Sequence, residues 1–132
     1  MVKLRLRRKG RKHYPVYDIV AVNVRARRDG AFLERLGYYN PNTHPNTIVV
    51  DSNRALYWLN VGAQPTPTVN RILSYEGILL TKHLKLKGKT DEEIAQEVQK
   101  HKEIVAARYL RRKELRKKRQ EAKKNAEAKT KE

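Results

Sequence analysis

From Val2 to Arg7 the chain alternates aliphatic and cationic side chains, Val2-Lys3-Leu4-Arg5-Leu6-Arg7, a pattern that few folds accommodate. Successive residues of an extended strand point to opposite faces, so Val2, Leu4 and Leu6 line one face and Lys3, Arg5 and Arg7 the other. One face must lie on a core and the other must carry charge. Arg8-Lys9-Gly10-Arg11-Lys12-His13 then breaks the alternation with a glycine and polar residues, and Tyr14 to Val22 has the composition of a second strand. The expected product is a hairpin with a cationic tip. From Met1 to Lys12 there are seven cations, Lys3, Arg5, Arg7, Arg8, Lys9, Arg11 and Lys12, and no acid. Like charges packed so closely repel one another, and a polyanion relieves the repulsion.

The rest of the chain deepens this imbalance. Its 132 residues hold 31 Lys+Arg against 14 Asp+Glu, a formal charge of +17 and a pI near 10.3, which favours nucleic acid or an anionic membrane surface as partner. The length suits one domain with an appendage. Apolar residues make up 39% of the chain but are concentrated before Leu86, so one modest core is expected. The absence of cysteine excludes disulfides and thiolate metal sites. No apolar stretch is long enough for a membrane span, and the first strand begins at Val2, so a soluble protein acting in the compartment where it is made, the cytoplasm, is expected.

Beyond the hairpin, Asn23-Val24-Arg25-Ala26-Arg27-Arg28-Asp29-Gly30 forms a second basic connection, with Asp-Gly favouring a turn. Ala31 to Tyr39 suits a third strand, ended by Asn40-Pro41-Asn42, and Ile48-Val49-Val50 a short fourth strand. Asp51 or Ser52 caps a helix with Ala55, Leu56, Trp58 and Leu59 at helical spacing, stopped by Gly62. Thr66 and Pro67 open a second helix whose apolar face is Val69, Ile72 and Leu73, ended at Gly77. Ile78-Leu79-Leu80 either adds a last strand or covers the core. Thr90-Asp91-Glu92-Glu93 is a capping box, and Ile94, Val98, Val105 and Tyr109 keep a narrow stripe on the helix that it starts. From Arg108 to Glu132 twelve cations face four acids, and little remains to bury, so this end is expected to fray or be disordered when free.

Taken in order, these residues resemble the bacterial small-subunit ribosomal protein S16 family, from Met1 to about Leu80. The amino-terminal signature is carried by Val2-Lys3-Leu4-Arg5-Leu6, Arg8, Gly10, Pro15, Tyr17, Ile19-Val20, Arg25, Arg28-Asp29-Gly30, Glu34, Gly37 and Tyr39-Asn40-Pro41. The helical region is matched by Ala55, Trp58-Leu59, Gly62-Ala63-Gln64-Pro65-Thr66, Thr68-Val69 and Leu73. The resemblance implies a small α+β protein that binds the 5′ domain of small-subunit ribosomal RNA directly and helps it assemble. Two residues depart from the family's habit: Asp18 stands where it commonly has arginine, and Asn23 where it commonly has aspartate.

The expected organisation is an α+β domain over residues 1–84, with a mainly antiparallel or mixed sheet of four to five strands and two short helices, followed by a basic helical-to-disordered extension over 85–132. The candidate RNA-binding residues are Lys3, Arg5, Arg7, Arg8, Lys9, Arg11, Lys12 and His13 of the hairpin, Arg25, Arg27 and Arg28 of the loop, and Arg35, Tyr39 and Asn40. Arginine engages phosphate through two N–H groups and stacks on bases, whereas lysine supplies charge. Tyr14, Tyr17, Phe32 and Trp58 sit in apolar runs and are assigned to the core. The signature of an RNA-recognition motif is missing, so recognition is expected to rest on RNA shape. His13, His44, His83 and His101 are scattered, Asp91 to Glu93 belong to the capping box, and Ser52 has no base beside it, so neither catalysis, a metal, a cofactor nor a small-molecule substrate is expected. The partners expected are small-subunit ribosomal RNA and neighbouring ribosomal proteins. A nucleoid-type duplex DNA binder is the alternative that charge alone leaves open, although no helix-turn-helix, zinc finger or zipper is present. Membrane anchoring by the C-terminal helix is disfavoured because its apolar face is too narrow after Leu110.

Overall fold

The computed structural model describes residues 1–129, with side chains through Asn125; residues 130–132 of the expected extension lie outside the described residues. Strands β1 (Val2–Arg11) and β2 (Tyr14–Asn23) form a ten-residue antiparallel ribbon, with Val2 opposite Asn23 and Arg11 opposite Tyr14. The ladder runs straight through Gly10, which the sequence suggested as a break, and the turn is only Lys12-His13. Gly10 at φ +93° and His13 at φ +62° absorb the left-handed geometry near the tip. Strands β3 (Glu34–Asn40) and β4 (Thr47–Val50) extend the sheet beyond β2. On the other edge, β5 (Gln64–Pro65) pairs parallel with β1, giving the order β4-β3-β2-β1-β5 in a mixed five-stranded sheet. The α+β expectation is met. Strand β3 starts three residues later than expected, because Ala31, Phe32 and Leu33 are exposed and belong to the preceding loop.

Helix α1 (Ser52–Asn60) is capped by the Asp51 carboxylate, which accepts the Arg54 N–H at 3.1 Å. Helix α2 (Pro67–Tyr75) follows Thr66 with Pro67 at its first position. Ala55, Leu56 and Leu59 of α1 and Val69, Ile72 and Leu73 of α2 close over Leu4, Ile19, Ala21 and Leu36, so both helices lie on one face of the sheet. Ile78-Leu79-Leu80 is no strand. It opens a third short helix, α3 (Ile78–Leu86), whose Ile78 and Leu84 are buried, and Lys82 donates to the Leu59 carbonyl at the end of α1 at 2.9 Å. This geometry follows from Gly77, which takes φ +78° and turns the chain from α2 into α3.

The final helix, α4 (Asp91–Lys129), carries the expected C-terminal extension as one long helix through the described residues. Half of the expected capping box is present, with the Glu93 N–H donating to the Thr90 hydroxyl at 3.5 Å. Ile94 is buried, Val98 approaches Gly77, Lys102 pairs with Glu76 at 3.6 Å and Glu97 pairs with Lys89. The start of α4 is therefore packed, and α3 continues across residue 84, while everything from Leu110 to Asn125 is exposed.

At one corner, Arg54 holds Glu34 with two N–H bonds of 2.6 Å, and the Trp58 indole N–H adds a third at 2.8 Å, tying α1 to β3. The Arg54 hydrogen bond, then that of Trp58, lowers the Glu34 pKa from 4.5 to about 2. A depressed folded-state pKa stabilises the fold above the unfolded value, so this contribution is complete above about pH 4.5 and disappears as pH falls towards about 2. Urea midpoints of the native chain and Glu34→Gln are expected to converge across that window; a constant gap down to pH 2 would contradict the assignment. Gly37 sits where β3 meets β4, and a Cβ there would land on the Val49 carbonyl oxygen. Gly37→Ala is expected to lose more than about 2 kcal/mol in urea unfolding by forcing the edge strand away.

Candidate nucleic-acid interface

Because the helices cover only one face, the alternation of β1 sends Lys3, Arg5, Arg7 and Lys9 to the opposite face, beside Val22, Val20, Asp18 and Val16 of β2. That second face is not bare. Val20 and Val22 are buried there, outside the main core, on the face whose Arg5 reaches the loop that joins β2 to β3. Arg5 fastens this loop: its guanidinium donates to the carbonyls of Ala26 at 3.4 Å, Arg27 at 2.5 Å and Arg28 at 3.2 Å. Arg7 lies over the Phe32 ring at 5.2 Å, a cation–π contact at the loop's far end. The Asn23 side chain accepts the Arg25 N–H at 3.1 Å, a bond that an aspartate would make equally well. Two arginines of the hairpin thus hold down a loop that presents three more.

Arg25 and Arg27 extend from that loop into solvent, and Arg28 pairs with Asp29 at 3.2 Å, both ends being highly exposed. Such an exposed pair is worth little and yields easily to phosphate. Asp18, the acid in place of a cation, is buried to 6% exposure and accepts from Arg35 at 3.0 Å. The swap gives Arg35 a fixed partner across the β2–β3 pair.

The tip itself is open. Arg8, Lys9, Gly10, Arg11, Lys12 and His13 are all exposed, because the ribbon runs on past the helical layer. Arg8, on the helix side opposite Tyr17, and Lys9, on the other side opposite Val16, make both faces of the ribbon cationic. Tyr14 is also exposed, at 44%, so its assignment to the core is corrected, as is that of Phe32; neither has a helix above it. Tyr17 is half-buried and Trp58 packs on the core as expected. Lys3 is half-buried beside the short β1–β5 pairing.

Tyr39 and Asn40 were expected at the RNA. Tyr39 turns its ring to the helix side, packs against the core and stacks on Tyr17 at 6.4 Å between centroids, leaving its hydroxyl to accept from Asn46 at 2.9 Å. Its neighbour Tyr38 takes the opposite face, across from Asp18. The Asn40 side chain accepts from the Asn42 backbone and side-chain N–H groups, both at 3.0 Å, and Asn42 donates to the Pro15 carbonyl at 2.6 Å. These residues brace the hairpin just below its tip, since Pro15 and Tyr17 pair with Gly10 and Arg8. The bond from Asn42 to Pro15 and the seat of Arg7 on Phe32 have no signal in the sequence, since neither Asn42 nor Phe32 bears a charge and Pro15 and Arg7 lie more than twenty residues away. Among the described residues there is no group of three or more His, Cys, Asp or Glu that could hold a metal ion.

The family described as Ribosomal protein S16 matches residues 8–66, which span the tip, the basic loop, strands β2 to β4 and α1. Three relatives are each named small ribosomal subunit protein bS16. That of Prosthecochloris aestuarii is 48% identical over 97% of this chain and 95% of its own length. That of Chloroherpeton thalassium is 48% identical over 100% of this chain and 98% of its own, and that of Chlorobium phaeobacteroides (strain BS1) 47% over 97% and 96%. The chain belongs to the ribosomal protein S16 family. As a member, it is a ribosomal protein of the small subunit, a structural and non-enzymatic kind of protein that works on the cytoplasmic ribosome. No helix among the described residues is long and apolar enough to cross a membrane. The alignment with these S16 relatives runs through nearly the whole chain, well past the region that defines the family.

Arg5→Met is expected to release the S16 loop without removing an exposed cation. Hydrogen exchange at the Gly30 and Leu33 amides, which bond to the Arg27 and Ala21 carbonyls, should quicken by about tenfold or more, the equivalent of roughly 1.5 kcal/mol for a charge-assisted bond. Unchanged exchange would show that the loop stands without Arg5.

Proposed function

We propose that this protein binds the 5′ domain of small-subunit ribosomal RNA directly and stabilises its assembly by standing between phosphate backbones that otherwise repel. The observation that carries this reading is the hairpin tip, which projects beyond the helical layer with cations on both faces and no acid. A ribbon of that form enters a crevice between two RNA strands and neutralises both, where a flat basic face would serve only one. Arg8, Lys9, Arg11, Lys12 and His13 make the tip contacts, while Arg25, Arg27 and Arg28 meet a neighbouring stretch of backbone, with Lys3 at its margin. Arg5, Arg7, Arg35, Tyr39 and Asn40 act one step back, holding the loop and the strand just below the tip in place. Selectivity comes from this fixed spacing, since a rigid sheet cannot re-space its cations for a straight duplex. Neighbouring proteins of the small subunit complete the environment.

Competition at physiological salt between folded 5′-domain RNA and duplex DNA of equal charge tests the reading. The RNA is expected to win, and equal binding would favour a general polyanion binder of the nucleoid type. With six to ten phosphate contacts, affinity for the RNA should fall by roughly three to five orders of magnitude between about 50 and 200 mM salt. Changing Arg8, Lys9, Arg11 and Lys12 together to Gln should weaken binding and lower the slope of log affinity against log salt by about 3. A titration insensitive to salt would overturn the mechanism.

A further inference from the structure

The long helix α4 changes its chemistry along one face without changing its register. Ile94, Val98, His101, Val105 and Tyr109, spaced by three and four residues, make the stripe that is buried or half-buried where α4 lies on the body. The same spacing continues as Arg112, Arg116, Arg119 and Lys123. At 3.6 residues per turn these four side chains stand on the line of the packed stripe, so they point to the side of the helix axis on which the domain lies. Both acids between Leu110 and Asn125, Glu114 and Glu121, are seven residues apart on the opposite face. The cations are sorted too: the stripe line has three arginines and one lysine, and the remaining positions, Arg111, Lys113, Lys117, Lys118 and Lys124, have one arginine and four lysines.

This distribution differs from that of a helix merely kept soluble by charge. A solubilising face is met equally well by lysine on all sides and tolerates interspersed acids. Here the acid-free, arginine-rich line faces inward, every residue from Leu110 to Asn125 is exposed, and the sixteen residues extend about 24 Å at 1.5 Å per residue. Arginine forks bind phosphate oxygens two at a time, and a row spaced by one helical turn, about 5.4 Å, follows a sugar–phosphate backbone.

We infer that the exposed half of α4 is a second RNA-binding arm, in which Arg112, Arg116, Arg119 and Lys123 grip the phosphate backbone of an RNA helix lying in the angle between arm and domain. The arm engages a different stretch of backbone from the hairpin tip, and the protein thereby ties two RNA segments together. This inference rests on the RNA-binding reading given above, and its test separates the two.

Two full-length variants carry equal loss of charge: Arg112→Gln, Arg116→Gln, Arg119→Gln and Lys123→Gln on the stripe line, and Lys113→Gln, Lys117→Gln, Lys118→Gln and Lys124→Gln away from it. Glutamine keeps helix propensity at each place. Each is titrated against folded full-length small-subunit ribosomal RNA over a salt series, and its incorporation into small-subunit particles is measured. The stripe variant is expected to lose about 3 from the salt slope, near 0.7–0.9 per phosphate, and about tenfold or more in affinity at 0.1 M salt, with the other variant losing less than about 1. Equal losses in the two variants would make the arm an undirected charge reservoir and overturn the inference. An unchanged slope with poorer incorporation would place a protein, not RNA, on this face and overturn it as well. Failure of the native chain to prefer RNA over DNA would instead strike the proposed function, whereas retained preference with an unchanged stripe variant strikes the arm alone.

Discussion

The structure depends on the ten-residue pairing of β1 with β2. Every other element is placed by it: Leu4, Ile19 and Ala21 supply the floor on which α1 and α2 close, β3 adds to one edge and β5 to the other. The pairing also separates the two chemistries of the chain, because a strand cannot turn Leu4 inward without turning Lys3 and Arg5 outward. A slip of one residue would put arginine in the core. Register and charge placement are thus one constraint, and Gly37, which lets β4 approach β3 without a side chain between them, extends it to the edge of the sheet.

The excess of cations divides into those that build and those that remain free. Arg5 satisfies three loop carbonyls, Arg7 covers Phe32, Arg35 pairs with buried Asp18, and Arg54 secures α1 through Glu34. These side chains hold a basic surface rigid despite its self-repulsion. The free cations at the tip and in the loop then keep fixed distances from one another. For a partner that is itself a folded polyanion, that fixed spacing matters more than the number of charges, since charge alone attracts every nucleic acid equally.

Helix α4 follows the same logic at larger scale. Its first turns bury Ile94 and lay Val98 on Gly77, which anchors the rod, and the exposed remainder projects from that anchor. An isolated helix of such charge is marginal in water, but residues of good helix propensity and a packed nucleus at one end favour continuation. The absence of a core-facing stripe after Tyr109, which from composition suggested disorder, marks the place where the helix leaves the body.

What the sequence by itself determined is local and periodic: the alternation that makes β1, the caps at Asp51 and Thr90, Pro67 at the start of α2, the apolar faces of α1 and α2, the basic tip and the family signature. Each depends on residues within a few positions of one another, so spacing alone reveals it. Only the tertiary structure decided which cations are free. Arg5 and Arg8 look alike in the chain, yet one is bound to carbonyls more than twenty residues away and the other faces solvent. Tyr39 and Tyr38 are adjacent and take opposite faces, and Ile78-Leu79-Leu80, apolar enough for a strand, became a helix because Gly77 aimed it over α1. Such outcomes depend on contacts between distant segments, which exist only once the chain has folded.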